Sequence, residues 1–316
     1  MSGERVLTVG GNKASRRLSE FNLTPQDIYA FPAGTYFVDG NVSSTGNGTA
    51  DHPYSTLAEA IAASNTSIGL AANRWWARRN KIYVCGDQEI TENLTVFPEK
   101  CDVIGAGFDL DAMPRITGTH IIAAVATGKA YGTRFINCGF MDNAAGPVVH
   151  LVTSEMGCAF IGCNFWPLVT GSTHCIQLAT GNAKFRMIDC RILLNVGDPT
   201  GAGIFAEGVK VSGVAQHDME FRGNHIHATE GIHIEAGTGG YNGLIDNNVI
   251  RAAALTVNDA SSLFVLTNNR LITDANPGED ALLGVVANKL LAANNKLTGI
   301  TTMQNADYPF VNPSTS

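Results

Sequence analysis

The densest group of chemically capable side chains runs from His217 to Glu235 and contains Asp218, Glu220, His225, His227, Glu230 and His233. In an extended strand alternate side chains point to opposite faces. His225 and His227 flank Ile226, and His233 and Glu235 flank Ile234, so all four project outward if the isoleucines project inward. A His-x-His pair beside a His-x-Glu pair offers the donor types that hold a divalent cation such as zinc. The candidate ligands are therefore His225, His227, His233 and Glu235. Carboxyl groups roughly 5 to 9.5 Å apart can instead act as acid and as base or nucleophile toward a glycosidic bond. Glu207, Glu220, Glu230 and Glu235 are the candidates for that role. The same side chains also suit a contact between subunits or the solvent face of a strand.

Three aromatic residues and a basic segment carry further possibilities. Trp166 follows Phe165 and precedes Pro167, which places its ring outward at a turn, where it can stack on a sugar or against another subunit. Trp75 and Trp76 open a basic aromatic patch with Arg78 and Arg79, read as packing between a cap and the first coil or as a subunit interface. Lys13, Arg16 and Arg17 lie in a polar N-terminal stretch broken by Pro25 and Pro32, either a loosely packed terminus or an arm that orders on a partner.

These residues are positioned by a six-residue unit, apolar-x-x-(Cys or Asn)-x-apolar. It first appears clearly as Phe135-Ile136-Asn137-Cys138-Gly139-Phe140. It recurs around Cys163, Cys190, Asn224, Asn248, Asn269 and, more weakly, Asn295, at steps of 21 to 34 residues. Such a period marks a stacked repeat. Each unit alternates apolar positions and is punctuated by Gly and Asn without a helix-length apolar stripe, so it reads as a short strand and a turn. A leucine-rich repeat would need leucines in a fixed frame, whereas Phe, Met and Ile stand here. The expectation is an all-β chain, a right-handed parallel β-helix in which successive coils hydrogen-bond at about 4.8 Å. Asn at one position of each coil would bond to the Asn above and below, and Cys138, Cys163 and Cys190 would fill that position in earlier coils.

Composition agrees. Of 316 residues, 45% are hydrophobic and only 16% charged, as expected of one elongated domain whose coils are buried on two sides. The 34 glycines suit a chain that turns several times per coil. A net charge of -7 argues against nucleic-acid binding. Seven cysteines, three of them in the repeat, argue against a disulfide framework. Neither a signal peptide nor a membrane span is expected, because the first thirty residues lack an apolar h-region and no apolar run approaches the roughly 18 residues a span requires. Phosphate-binding loops and calcium nonapeptides are missing, so no cofactor is expected.

In chain order, residues 1–34 form an arm, 35–80 a cap of strand, loop and helix, 81–302 the β-helix, and 303–316 an extended tail. The helix start is marked by a capping box, Thr56-Leu57-Ala58-Glu59, with Leu57, Ala60 and Ile61 on one face. Tyr36 to Asn41, then Pro53-Tyr54-Ser55-Thr56-Leu57-Ala58-Glu59-Ala60-Ile61, Lys81-Ile82-Tyr83-Val84 and Val103-Ile104-Gly105-Ala106-Gly107 resemble the start of a pectate-lyase-like β-helix. The resemblance covers most of residues 35–300 and is specific for the fold rather than for an activity.

Such domains occur in secreted polysaccharide lyases and hydrolases, and in tailspikes and other bacteriophage appendages, where three copies stand side by side. The Asn-Thr-Asp, Asp-Asp and Gly-His-Gly segments of the polygalacturonase pattern are absent, as is the Arg-x-Pro-x-x-Arg of pectate lyases, and Asp189, Asp198, Asp218 and Asp246 are scattered. The resemblance therefore implies a structural component of a phage virion: a spike, fibre or decoration made in the host cytoplasm and built on a homotrimer. It would join capsid or tail proteins through its arm and contact host surface polysaccharide. A polysaccharide lyase or glycoside hydrolase, including a tailspike depolymerase, and a non-catalytic glycan-binding module are the alternatives.

Overall fold

A computed structural model describes residues 34–69, 78–85, 89–107, 113–122, 132–152, 157–169, 172–179, 184–193, 203–213, 217–235, 241–252, 264–272 and 295 with side chains, and further short strands between Leu7 and Gln304 by their backbone alone. Trp75, Trp76, Arg16 and Arg17 lie outside the described residues, as does the side chain of Lys13. The short strands Leu7–Val9 and Asn12–Ala14 pair antiparallel. All other strands pair in parallel, in three sheets of ten, nine and eight strands, here called sheets I, II and III. Within each sheet the neighbours are one coil apart in sequence, which is a parallel β-solenoid.

The repeat maps directly onto this architecture. Its first apolar residue lies on sheet I, which begins with Pro32–Val38 and Arg79–Val84 and continues through Arg134–Ile136, Ala159–Ile161 and Arg186–Ile188. Its last apolar residue lies on sheet II, in strands such as Gly139–Met141, Asn164–Trp166 and His225–His227. Sheet III runs from His120–Ile122 to Met303–Gln304. Val103, Phe135, Phe160, Met187 and Phe221 align in register and are fully buried. Phe135 stacks on Phe160 with centroids 5.3 Å apart, and Phe140 on Phe165 at 5.3 Å, so rings repeat along the core at close to the strand spacing.

The corner between sheets I and II is made by the residue immediately before each ladder position. Asn137, Gly162, Asp189, Gly223, Asn247 and Asn268 all have φ between 52° and 67°. Gly, Asn and Asp are the residue types that enter this left-handed region most readily. A second corner, at the entry to sheet I, uses Lys100, Gly132, Gly157, Lys184 and Asp218 with φ between 46° and 74°.

Behind the first corner stands the expected ladder. Asn224 Nδ2 donates to Asn248 Oδ1, Asn248 Nδ2 to Asn269 Oδ1, and Asn269 Nδ2 to Asn295 Oδ1, each at 2.9 Å. Each Nδ2 also donates to a sheet I carbonyl of the preceding coil, as Asn248 does to Phe221 O at 2.9 Å. The three cysteines do more than fill space, because Sγ of Cys163 and of Cys190 lies 3.3 Å from the equivalent carbonyls of Phe135 and Phe160. All seven cysteines are free thiols.

The helix α1, Leu57–Gly69, buries Leu57, Ala60, Ile61, Ser64 and Ile68 and joins the same continuous core as the coils. Its capping box is formed, with Glu59 N donating to Thr56 Oγ1 at 3.2 Å and Thr56 N to Glu59 Oε2 at 3.2 Å. The Glu92 carboxylate from the first coil accepts the Leu57 and Ala58 amides at 2.8 and 3.0 Å, satisfying two donors at the helix N-terminus. Burial pushes the Glu92 carboxyl up despite these bonds.

Asn248→Ala removes the acceptor of Asn224 N and Nδ2 and the side-chain donor to Phe221 O, and leaves Asn269 Oδ1 with the backbone amide of residue 248 alone. The expected loss is about 3 kcal/mol in a chemical denaturation experiment. Asn224→Cys, which restores the residue type of the coil before it, should cost clearly less.

Candidate functional site

Sheet III carries the main polar cluster on three adjacent strands, His174–Leu178, Glu207–Val211 and Glu230–Ile234. Ile176, Leu178, Val209, Val211, Ile232 and Ile234 are fully buried, so the strands are fixed from inside. Outward positions consequently stack: His174 aligns with Glu207 and then Glu230, and Gln177 with Lys210 and then His233.

Glu207 is the centre. Its Oε1 lies 2.6 Å from His233 Nδ1 and its Oε2 2.6 Å from His174 Nδ1. His233 Nδ1 is also 3.3 Å from Glu230 Oε2. Lys210 Nζ lies 3.6 Å from Glu207 Oε2 but 2.6 Å from Glu235 Oε1, which draws it to the edge of the cluster. Burial alone would raise the Glu207 carboxyl, but the contacts from His174 and His233 and the Lys210 charge hold it well below the ordinary carboxylate range. The contact with Glu207 raises His233 above its ordinary value against the opposing effect of burial. Burial and the neighbouring His174 lower His150, one coil earlier on the same sheet.

Of the four expected metal ligands, only His233 and Glu235 reach this cluster. His225 and His227 do project outward around buried Ile226, but on sheet II. The corner after His227 therefore separates the two pairs, and the four do not form one site. His225 aligns with Arg191 and Val249, and His227 with Arg251; burial and the Arg191 and Arg251 charges lower the His225 imidazole.

The four candidate carboxylates are divided as well. Glu207, Glu230 and Glu235 share sheet III, whereas Glu220 lies on sheet I between Arg186 at 3.3 Å and Arg222 at 2.7 Å. Asp189 and Asp218 occupy left-handed corners, and Asp246 binds Thr267 and Asn268. Trp166 is half-buried on sheet II, its indole folded so close over Gly139 of the preceding coil that a Cβ there would meet the ring at 2.7 Å.

Sequence reasoning missed His174 and Lys210. The coil phase could have found His174, because His174, Glu207 and Glu230 precede the next ladder residue by 16, 17 and 18 positions. Among the described residues, Glu207, Glu230 and His233 are the group whose potential ligand atoms all lie within 4.8 Å of one another. The arrangement can hold protons between imidazole and carboxylate, or a cation. No family model matches the chain, and neither does any curated protein or solved structure. The class defined by the structure is thus the parallel β-solenoid.

Two shifts within this cluster contribute to the pH dependence of stability. Glu207, depressed from 4.5, contributes stability above that pH that is lost as pH falls. His233, raised from 6.5, contributes stability below that pH that is lost as pH rises through its folded value. His120, His150 and His225 are lowered and act in the opposite sense around pH 6.5, so the His233 contribution is read as a difference between proteins: the melting-temperature deficit of His233→Gln relative to wild type should shrink as pH rises above 6.5, while the acid limb stays in place.

Proposed function

We propose that this chain is a structural component of a bacteriophage virion, a spike, fibre or decoration whose β-helices stand side by side as a homotrimer. The observation supporting this reading is an apolar row on the outer face of sheet I. Tyr83, Ile104, Ile136, Ile161 and Ile188 occupy one register position in five successive strands, each next to an inward core residue. Ile104 is covered, while Ile136, Ile161 and Ile188 are half-buried. The exposed parts of Ile136, Ile161 and Ile188 remain in water in a lone rod, and a second copy covering them would gain roughly 25 cal/mol for each Å² removed from water. The row runs along the stacking direction, so a parallel copy can meet it coil by coil. Arg186, Glu220 and Arg222 beside it supply a polar rim.

The likeness of the cap and first coils to pectate-lyase-like β-helices supports the same assignment, with residues 1–34 as the segment that docks on capsid or tail proteins. Host surface polysaccharide is a further partner in this reading. Under the hydrolase alternative Glu207, held down between two imidazoles, is unsuited to the general-acid role, which would fall to another carboxylate.

Light scattering on the purified protein should give three times 33.4 kDa. Ile161→Glu should yield a folded monomer with an unchanged circular dichroism spectrum. A wild-type monomer at all concentrations would overturn the trimer, and release of oligosaccharides from capsular or pectic substrates would favour the enzyme.

A further inference from the structure

We propose that Glu207, Glu230 and His233, with His174 beside them, bind one divalent transition-metal cation of the zinc class, which clips three consecutive coils together. The inference rests on the cluster alone and does not depend on the virion role. Ligand atoms about 2.0 to 2.1 Å from a tetrahedral ion lie roughly 3.3 Å from each other. His233 Nδ1 and Glu230 Oε2 already stand 3.3 Å apart. The 2.6 Å between His233 Nδ1 and Glu207 Oε1 must open by less than about 1 Å, a small rotation of a glutamate side chain.

A second observation points the same way. Nδ1 of His174 and Oε2 of Glu207 are both buried and 2.6 Å apart, yet neither makes an aligned hydrogen bond. Two such atoms this close repel unless a proton or a cation lies between them. Charge is also suitable. Glu207, Glu230 and Glu235 stand against Lys210 alone, so with both imidazoles neutral the cluster carries two negative charges, which a divalent ion offsets. Lys210 is no obstacle, because its ammonium is drawn to Glu235 on the far side.

The donor set selects the ion class. Imidazole with carboxylate suits zinc and its transition-metal neighbours; a calcium site would present oxygens only, and a soft-metal site would present thiolates. Six of the seven cysteines are buried in the core, away from this outer face. The ligands come from strands whose alternate residues are locked inside the solenoid, the kind of support that keeps a metal site preorganised.

The test uses the full chain, stripped with EDTA and titrated calorimetrically with zinc chloride at neutral pH, with thermal melting in parallel. One ion per chain should bind, and the melting temperature should rise in a manner that EDTA reverses. Glu230→Gln and His233→Gln should each weaken binding by more than about tenfold. His225→Gln, on sheet II, should leave it unchanged. Absence of saturable binding to the folded wild-type protein would overturn the proposal by itself. So would unchanged affinity in both cluster variants, or an equal loss in His225→Gln.

Discussion

The structure depends on one constraint, that every coil must return to the same phase and hydrogen-bond to its predecessor. The asparagine ladder enforces it at the corner between sheets I and II. An amide has both a donor and an acceptor, so Asn248 can bond upward and downward and also reach the Phe221 carbonyl. A slipped coil would break several buried bonds at once. Where cysteine replaces asparagine, the sulfur still faces the carbonyl of the coil before, and the stacked phenylalanines of those coils supply the register instead.

In-register stacking has an electrostatic consequence. Outward residues of the same phase are brought together at each coil spacing, so like charges in one row would repel. The chain meets this by placing cations around each central carboxylate. Asp102, wholly buried, receives the Arg79 and Arg134 guanidiniums, each through a 2.7 Å bond to Oδ1, and these hold its carboxyl down against the burial that would raise it. Glu220 lies between Arg186 and Arg222. Among the described residues, Glu207 alone has imidazoles on both sides and a second carboxylate, Glu230, within reach of one of them. The first two clusters are saturated by permanent cations, whereas the third can exchange protons or take a metal.

The two long faces of the rod therefore differ in character. Sheet I presents an apolar row bordered by guanidinium and carboxylate pairs, a composition suited to another protein surface. Sheet III presents the histidine and glutamate cluster, suited to small cations and protons. The proposed assembly face and the proposed cation site thus lie on separate sheets.

Much of this was legible from residue order alone. The recurrence of Cys or Asn from 138 to 295 and the apolar residues flanking it determined the solenoid and its ladder, because a local pattern returns coil after coil, and the capping box at Thr56 determined the helix start, because its bonds span only four residues. The same alternation placed Ile226 and Ile234 inside and their neighbours outside. What residue order did not decide was which outward residues meet. His225 and His233 are eight positions apart yet lie on different sheets, since a corner intervenes, while His174 and Glu207 are 33 positions apart and touch. Proximity in a solenoid runs along the coil axis, and only the tertiary register of one coil on the next converts distance in sequence into contact in space.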